Sequence, residues 1–218
     1  MERSEKNLST SIVEGLVRAF TSEVLPKLRS MRDETAKYLY FIAWLNKELE
    51  ERGLGRLIVT GGFAVEVYTG RAYRTMDVDV IVEGELAKKV VEEFLSSFSE
   101  RIARGYLPKY ELLQLKSVDV VSTAYTKPAP PTRVVVDNLV LYIEPVEELI
   151  VTYLAGWKFR GATEDRDKAL WLYIVWRGRL DDQYLESRAA EEGVSDYLQE
   201  LKRIATLARE PQRTSLQA

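Results

Sequence analysis

Two aspartates separated by a single residue inside an apolar run, Asp77 and Asp79 in TMDVDVIV, are the side chains of this sequence best placed to do chemistry. In an extended segment residues two apart face the same side, so both carboxylates stand together while Val78 and Val80 turn to the opposite layer. A second segment, LLQLKSVDVV over residues 112 to 121, sets Asp119 between Val118 and Val120. From a neighbouring strand it can add a third carboxylate to the same face. Three such groups make an all-oxygen site suited to a hard divalent cation, Mg2+ or Mn2+. Gly61 and Gly62 follow the apolar run LIVT, at a strand-to-helix junction where exposed N–H groups and the positive helix end can hold a phosphate.

Each feature alone has a plainer explanation. A glycine pair most often marks only a turn, and an Asp-x-Asp is more often a solvated strand edge or a cap. The setting changes the balance, because Asp77 and Asp79 sit in a run of Val and Ile. Burying like charges without a partner costs several kcal/mol, which a bound cation would offset.

Composition removes much of the competing chemistry. The chain has 218 residues and neither cysteine nor histidine. Disulfides, thiolate catalysis, Ser-His-Asp triads and His- or Cys-ligated zinc are therefore excluded. No segment approaches the roughly 20 apolar residues of a membrane span, and no apolar stretch follows the charged start MERSEKNLST, so the expected location is cytoplasmic. A net charge of −3 gives no global attraction for nucleic acid. A local basic patch from Arg71, Arg74, Lys158, Arg160, Arg166 and Lys168 stands as the alternative to a solvated mixed-charge surface. The 30% charged content with few Met and no Cys is compatible with a thermophilic source.

The elements that must position these residues follow from periodicity. Helical spacing predicts two N-terminal helices over 8–30 and 33–52, capped at Ser9 and Asp33, with Pro26 bending or ending the first. After Gly53 and Gly55 come a strand at 57–60, a helix at 62–69, a strand at 76–82, a helix at 85–100 and strands at 110–115 and 117–122. The runs VVV at 134–136 and LVLYI at 139–143 read as a hairpin turning at Asp137–Asn138, preceded by the proline-rich loop TKPAPPT. Beyond Pro145 all segments are helical. The aromatics Tyr38, Phe41, Trp44, Tyr153, Trp157, Trp171 and Trp176 recur with Leu and Ile at helical spacing, as packing residues do, and one of them stacking on a base is the minor alternative. The predicted fold is α+β: a mixed β-sheet flanked by helices, with N-terminal helices over 1–54 packed on a core at 55–144 and a C-terminal helical region at 145–218.

Taken in order, Gly61-Gly62, then Asp77-Val78-Asp79, then Asp119 resembles the DNA polymerase β-like nucleotidyltransferase superfamily. The stretch GRAYRTMDVDV is similar to the minimal and toxin–antitoxin-associated (AbiEii-like) branch, in which an Arg and a Ser or Thr precede the acidic pair, as Arg74 and Thr75 do here. The resemblance spans roughly residues 55 to 170 and then frays. Pro145 with EELI at 147–150 and EDRDK at 164–168 match later family elements in part, but Tyr153 stands where a lysine is expected and Lys168 replaces a second acid after Asp165.

The resemblance implies a nucleotidyltransferase-type sheet and an enzyme that moves a nucleoside monophosphate from an NTP, such as ATP, to a hydroxyl acceptor. That acceptor would be RNA, a protein or a small molecule. It also implies Asp77, Asp79 and Asp119 as catalytic metal ligands for Mg2+ or Mn2+, and Gly61, Gly62, Arg74, Thr75, Lys158 and Asp165 as nucleotide contacts. For Lys158 and Asp165 a surface ion pair is an equal alternative. A partner protein from a toxin–antitoxin pair is a further implication, and a catalytically silent binding protein of the same fold is the competing class. Clustered acids without a chemical role argue against the silent form.

Overall fold

The computed structural model describes residues 2–102 and 105–208. Helix α1 (Glu2–Ala19) runs into a π-helical turn at Phe20–Val24 and then into α2 (Leu25–Ser30). Pro26 stands in the first turn of α2, where a missing N–H breaks no intrahelical bond, so the proline opens a helical segment. Ser9 lies inside α1 as a buried residue whose hydroxyl donates to Glu93; the predicted cap there is corrected to a helix-to-helix contact. Helix α3 (Glu34–Glu51) does begin at its predicted cap, with the Asp33 carboxylate accepting the Ala36 N–H at 2.8 Å.

The sheet is mixed and seven-stranded. Strand β1 (Arg56–Val59) leads through helix α4 (Gly61–Tyr68) to β2 (Asp77–Glu83), then helix α5 (Glu85–Phe98), β3 (Ser99–Ile102), β4 (Gly105–Pro108), β5 (Ser117–Ser122), β6 (Thr132–Val136) and β7 (Leu139–Ile143). Their order across the sheet is β3-β4-β5-β2-β1-β7-β6. At the centre β1 and β2 are antiparallel, with Leu57 opposite Val82 and Val59 opposite Val80, while β5 and β7 flank them as parallel partners. Leu57, Ile58, Val59, Val78 and Val82 are fully buried, as strands covered by helices require. Helix α3 packs on β1 and β7, and α5 packs on β2, β3 and β4. Phe20, Phe41, Trp44, Phe94 and Phe98 interlock between these helices at ring separations of 4.9–6.4 Å, which makes Phe41 and Trp44 core residues. Asp137 and Asn138 both have positive φ, 48° and 68°, as the two-residue turn of the β6–β7 hairpin demands.

Two predicted elements are corrected. Helix α5 stops at Phe98, where its apolar stripe of Val90, Val91, Phe94 and Leu95 ends, and the next residues form the β3–β4 hairpin. The strand predicted at 110–115 is instead a 3-10 turn at Glu111–Leu113. The Leu113 N–H closes the turn on the Tyr110 carbonyl at 2.8 Å, and a distant side chain holds the segment: the Tyr38 hydroxyl donates to the Leu113 carbonyl at 2.6 Å and accepts the Lys116 N–H at 2.8 Å.

The chain divides into two compact units, one of Met1–Val67 with Arg74–Glu144 and one of Tyr68–Tyr73 with Pro145–Ala218. The second is built on α6 (Val146–Arg160), α7 (Thr163–Trp176), α8 (Asp182–Glu191) and α9 (Ser195–Leu207). Within it the Trp176 indole N–H donates to the Tyr68 carbonyl at 2.9 Å, and Gly161 ends α6 in the left-handed conformation that glycine favours. Among the described residues no helix is long and apolar enough to cross a membrane.

Candidate active site

The parallel pairing of β2 with β5 sets Asp77 opposite Ser117 and Asp79 opposite Asp119. Residues paired across neighbouring strands share a face, so the three aspartates and the serine project from one side of the sheet. Ser117 Oγ lies 2.7 Å from Asp77 Oδ1 and 2.9 Å from Asp119 Oδ1. A hydroxyl has one proton to donate, so this one serves two carboxylates in turn. One strand further on, the Thr60 N–H donates to the Asp79 carbonyl at 3.0 Å, and the Thr60 hydroxyl donates to the buried Glu144.

Glycines make room for two of the acids. A β-carbon on Gly61 would come within 2.0 Å of Asp79 Oδ2, and one on Gly105 within 1.7 Å of Asp119 Oδ1. Each carboxylate therefore rests directly over backbone, a close approach that only glycine permits. Gly61 also has φ +60° and opens α4, so the glycine pair occupies the first turn, where helix N–H groups have no partner within the helix. Gly62 lies under Thr75, whose Oγ1 a β-carbon would meet at 3.0 Å. Among the described residues no three acidic side chains crowd around one point. Asp79 and Asp119 rest over glycine, and Asp77 and Asp119 share the Ser117 hydroxyl.

The remaining predicted contacts are engaged elsewhere. Arg74, more than half exposed, pairs with Glu34 at 2.6 Å. In the second unit the Lys158 ammonium donates to both Asp196 carboxylate oxygens at 2.7 and 2.8 Å and to the Gly193 carbonyl at 2.9 Å. Asp165 sits over Gly156 and pairs with Arg160 at 3.1 Å and Lys168 at 3.6 Å. Lys168 lies over the rings of Tyr73 and Tyr153 and bonds Glu164. These are the ion-pair arrangements weighed as the alternative for Lys158 and Asp165.

Sequence reading missed Gly105 and Lys116. Lys116 is 1% exposed and donates to Glu66, itself 0% exposed, at 2.8 Å and to the Thr75 carbonyl. Glu66 also accepts the Thr35 hydroxyl at 2.6 Å and the Thr75 N–H at 3.0 Å. Burial pushes the Glu66 carboxyl up, but the bonds from Lys116, Thr35 and Thr75 outweigh it and hold the group below its ordinary value. The available signal was proximity, since Lys116 directly precedes the serine and aspartate of the SVD triplet.

No protein-family model matches the chain, and no curated protein matches it. Among solved structures it is similar to the antibiotic-resistance factor ANT(2'')-Ia in solution, with 19% identity over 77% of this chain and 96% of that one at a TM-score of 0.47. The crystal structure of the same factor in complex with adenylyl-2''-tobramycin gives 18% identity, 73% and 97% coverage and a TM-score of 0.46. An antigenic nucleotidyltransferase-like protein from Paracoccidioides brasiliensis gives 15% identity, 78% and 93% coverage and 0.49. Likeness at this level carries no conclusion about chemistry, which rests on the residues described above.

Proposed function

We propose that this protein is a metal-dependent nucleotidyltransferase that moves a nucleoside monophosphate from an NTP to a hydroxyl acceptor on RNA, a protein or a small molecule and releases pyrophosphate. The observation that carries this reading is the register of β2 against β5, which lines up Asp77, Asp79 and Asp119 on one face beside the Gly61–Gly62 turn. The donor set fits a hard divalent cation, being carboxylate and hydroxyl oxygen throughout. Gly61 and Gly105 leave space under two of the acids that a methyl group would fill.

Asp77, Asp79 and Asp119 would hold Mg2+ or Mn2+. Such ions, when bound, neutralise triphosphate charge and favour ionisation of an attacking hydroxyl. The acceptor oxygen forms its bond to the α-phosphorus as the bond from that phosphorus to the pyrophosphate oxygen breaks. Its proton passes to Asp119, whose Oδ1 is already steadied by the Ser117 hydroxyl. The first-turn N–H groups at Gly61 and Gly62 cradle the phosphates. Arg74, the exposed member of its pair with Glu34, adds charge there by exchanging that partner for a phosphate oxygen. The pairs made by Lys158 and Asp165 support a bracing role in the helical unit over nucleotide contact. The Arg74–Thr75 pair ahead of the acids supports a place beside the toxin–antitoxin-associated branch, which co-purification with a protein encoded next to it would test.

The deciding experiment supplies each labelled NTP with Mg2+ or Mn2+ to total RNA, lysate protein and a small-molecule pool. Label is expected in one of these classes and not with Asp77→Asn. Absence of label in every combination overturns the reading.

A further inference from the structure

The Lys116–Glu66 pair has no part in the chemistry described, yet it is the most enclosed charge pair in the sheet unit's site region: the ammonium is 1% exposed and the carboxylate 0%. Besides the Thr35 hydroxyl on Glu66 and the Glu34 carboxylate 3.6 Å from the ammonium, its contacts converge on one residue. Glu66 on α4 accepts the Thr75 N–H, and Lys116 at the head of β5 donates to the Thr75 carbonyl, so both backbone groups of Thr75 are clamped. Thr75 Oγ1 in turn accepts the Asp77 N–H at 3.3 Å and lies where a β-carbon on Gly62 would reach. The next residue is tied as well, because the Ser117 N–H donates to the Met76 carbonyl at 2.9 Å. One ion pair thus joins the three segments that carry the glycine turn, Asp77 with Asp79, and Ser117 with Asp119.

Burying two charges is a poor route to stability. An apolar pair of similar volume commonly serves as well, because desolvation consumes most of the attraction. What an apolar pair cannot do is hold a particular N–H and a particular carbonyl in place. We propose that Lys116 and Glu66 are positioning residues for the candidate active site: they clamp Thr75 and thereby set the spacing of Asp77 from the Gly61–Gly62 turn and from Asp119. This deepens the nucleotidyltransferase reading and rests on it for the metal and nucleotide consequences, but the clamp itself is a statement about backbone.

The test uses the full chain with Lys116→Met and Glu66→Leu combined, since either change alone leaves a buried charge without its nearest partner and can unfold the protein. Urea unfolding is expected to match the parent. Against that background, amide hydrogen exchange at Asp77 and Ser117 should rise at least tenfold while exchange at Leu57 and Val82 in β1 and β2 is unchanged, and Mn2+ affinity measured by calorimetry should fall at least tenfold. Unchanged exchange at Asp77 and Ser117 in a stably folded double variant overturns the proposal. If the double variant does not fold, the milder Thr35→Val, which removes one bond to Glu66 and no charge, should raise the same two exchange rates, and its failure to do so overturns the proposal equally. A parent that binds no Mn2+ sinks the reading of the site instead, while the exchange comparison still judges the clamp.

Discussion

Glu66 and Glu148 are both fully buried carboxylates on helices, each answered by a cation, and they end in different places. Glu148 on α6 meets Arg188 of α8 at 3.2 Å and the Tyr184 hydroxyl, and Arg188 then fans outward to Glu191 and Glu192 at the surface. That pair fastens one helix to another. Glu66 meets a lysine that also faces Glu34 at 3.6 Å and donates inward to the Thr75 carbonyl, and Thr75 in turn accepts the N–H of Asp77. The same device holds helices together in one unit and sets backbone position beneath a candidate site in the other. Partners at the far end of the cation, rather than the burial of the acid, separate the two roles.

The largest expected effect separates chemistry from both pairs. Asp77→Asn or Asp79→Asn should reduce nucleotide transfer to background while the protein stays folded, because a neutral amide weakens metal binding and relieves like-charge repulsion. Wild-type transfer at saturating Mg2+ in both variants would show that the acidic pair has been misassigned. Next comes the comparison itself. Lys116→Met should cost about 3–5 kcal/mol in urea unfolding, the usual penalty for stranding a buried charge, and should also impair transfer in whatever fraction folds. Arg188→Met should destabilise by a similar amount yet leave transfer per folded molecule intact. Equal losses of transfer from the two would erase the distinction.

Gly105→Ala is expected to cost about 1–3 kcal/mol by overpacking, since the new methyl would meet Asp119 Oδ1 at 1.7 Å. It should lower transfer through displacement of that carboxylate, since Gly105 has no positive φ that an alanine would strain. Acid sensitivity gives a smaller effect. Because the native Glu66 carboxyl ionises below its ordinary 4.5, its contribution to stability is complete above that pH and is lost as pH falls through the lower native value. The Lys116→Met/Glu66→Leu variant lacks this loss, so in urea it should match the parent near neutrality and overtake it in acid. The smallest effect is Lys158→Ala, expected to cost under about 1 kcal/mol with transfer unchanged, as for an ordinary surface pair. A large rise in nucleotide KM would return Lys158 to the binding site.

Strands β2 and β5 were legible because apolar alternation marks which face the aspartates take, and the β6–β7 hairpin because Asp137–Asn138 tolerates two positive φ values. The apolar run LLQL was read as a strand as well, whereas the Leu113 N–H closes a 3-10 turn on the Tyr110 carbonyl at 2.8 Å and the Leu113 carbonyl accepts a hydroxyl 75 residues away, that of Tyr38. Lys116 was invisible for a related cause. A lysine beside a strand reads as solvated until Glu66, 50 residues earlier, is brought against it. Gly105 carries no local signal at all, since what fixes it is an aspartate on the adjoining strand. Local pattern therefore disclosed the acids and their faces, while their supports required tertiary contacts.

The sheet order has a further consequence, for the time at which the site comes into being. Asp77 and Ser117 meet across 40 residues and Thr60 and Glu144 across 84, so both flanking partners of the central β1–β2 pair arrive from far along the chain. Closing such long loops is slow relative to forming helices and nearby pairs. During refolding the row of acids should therefore be among the last features assembled. Pulse-labelled hydrogen exchange should find the amides of α3 and α5 protected before that of Ser117, and simultaneous protection would refute the order. A nascent or partly unfolded chain would then have helices and hydrophobic core before the aspartates proposed as metal ligands stood together.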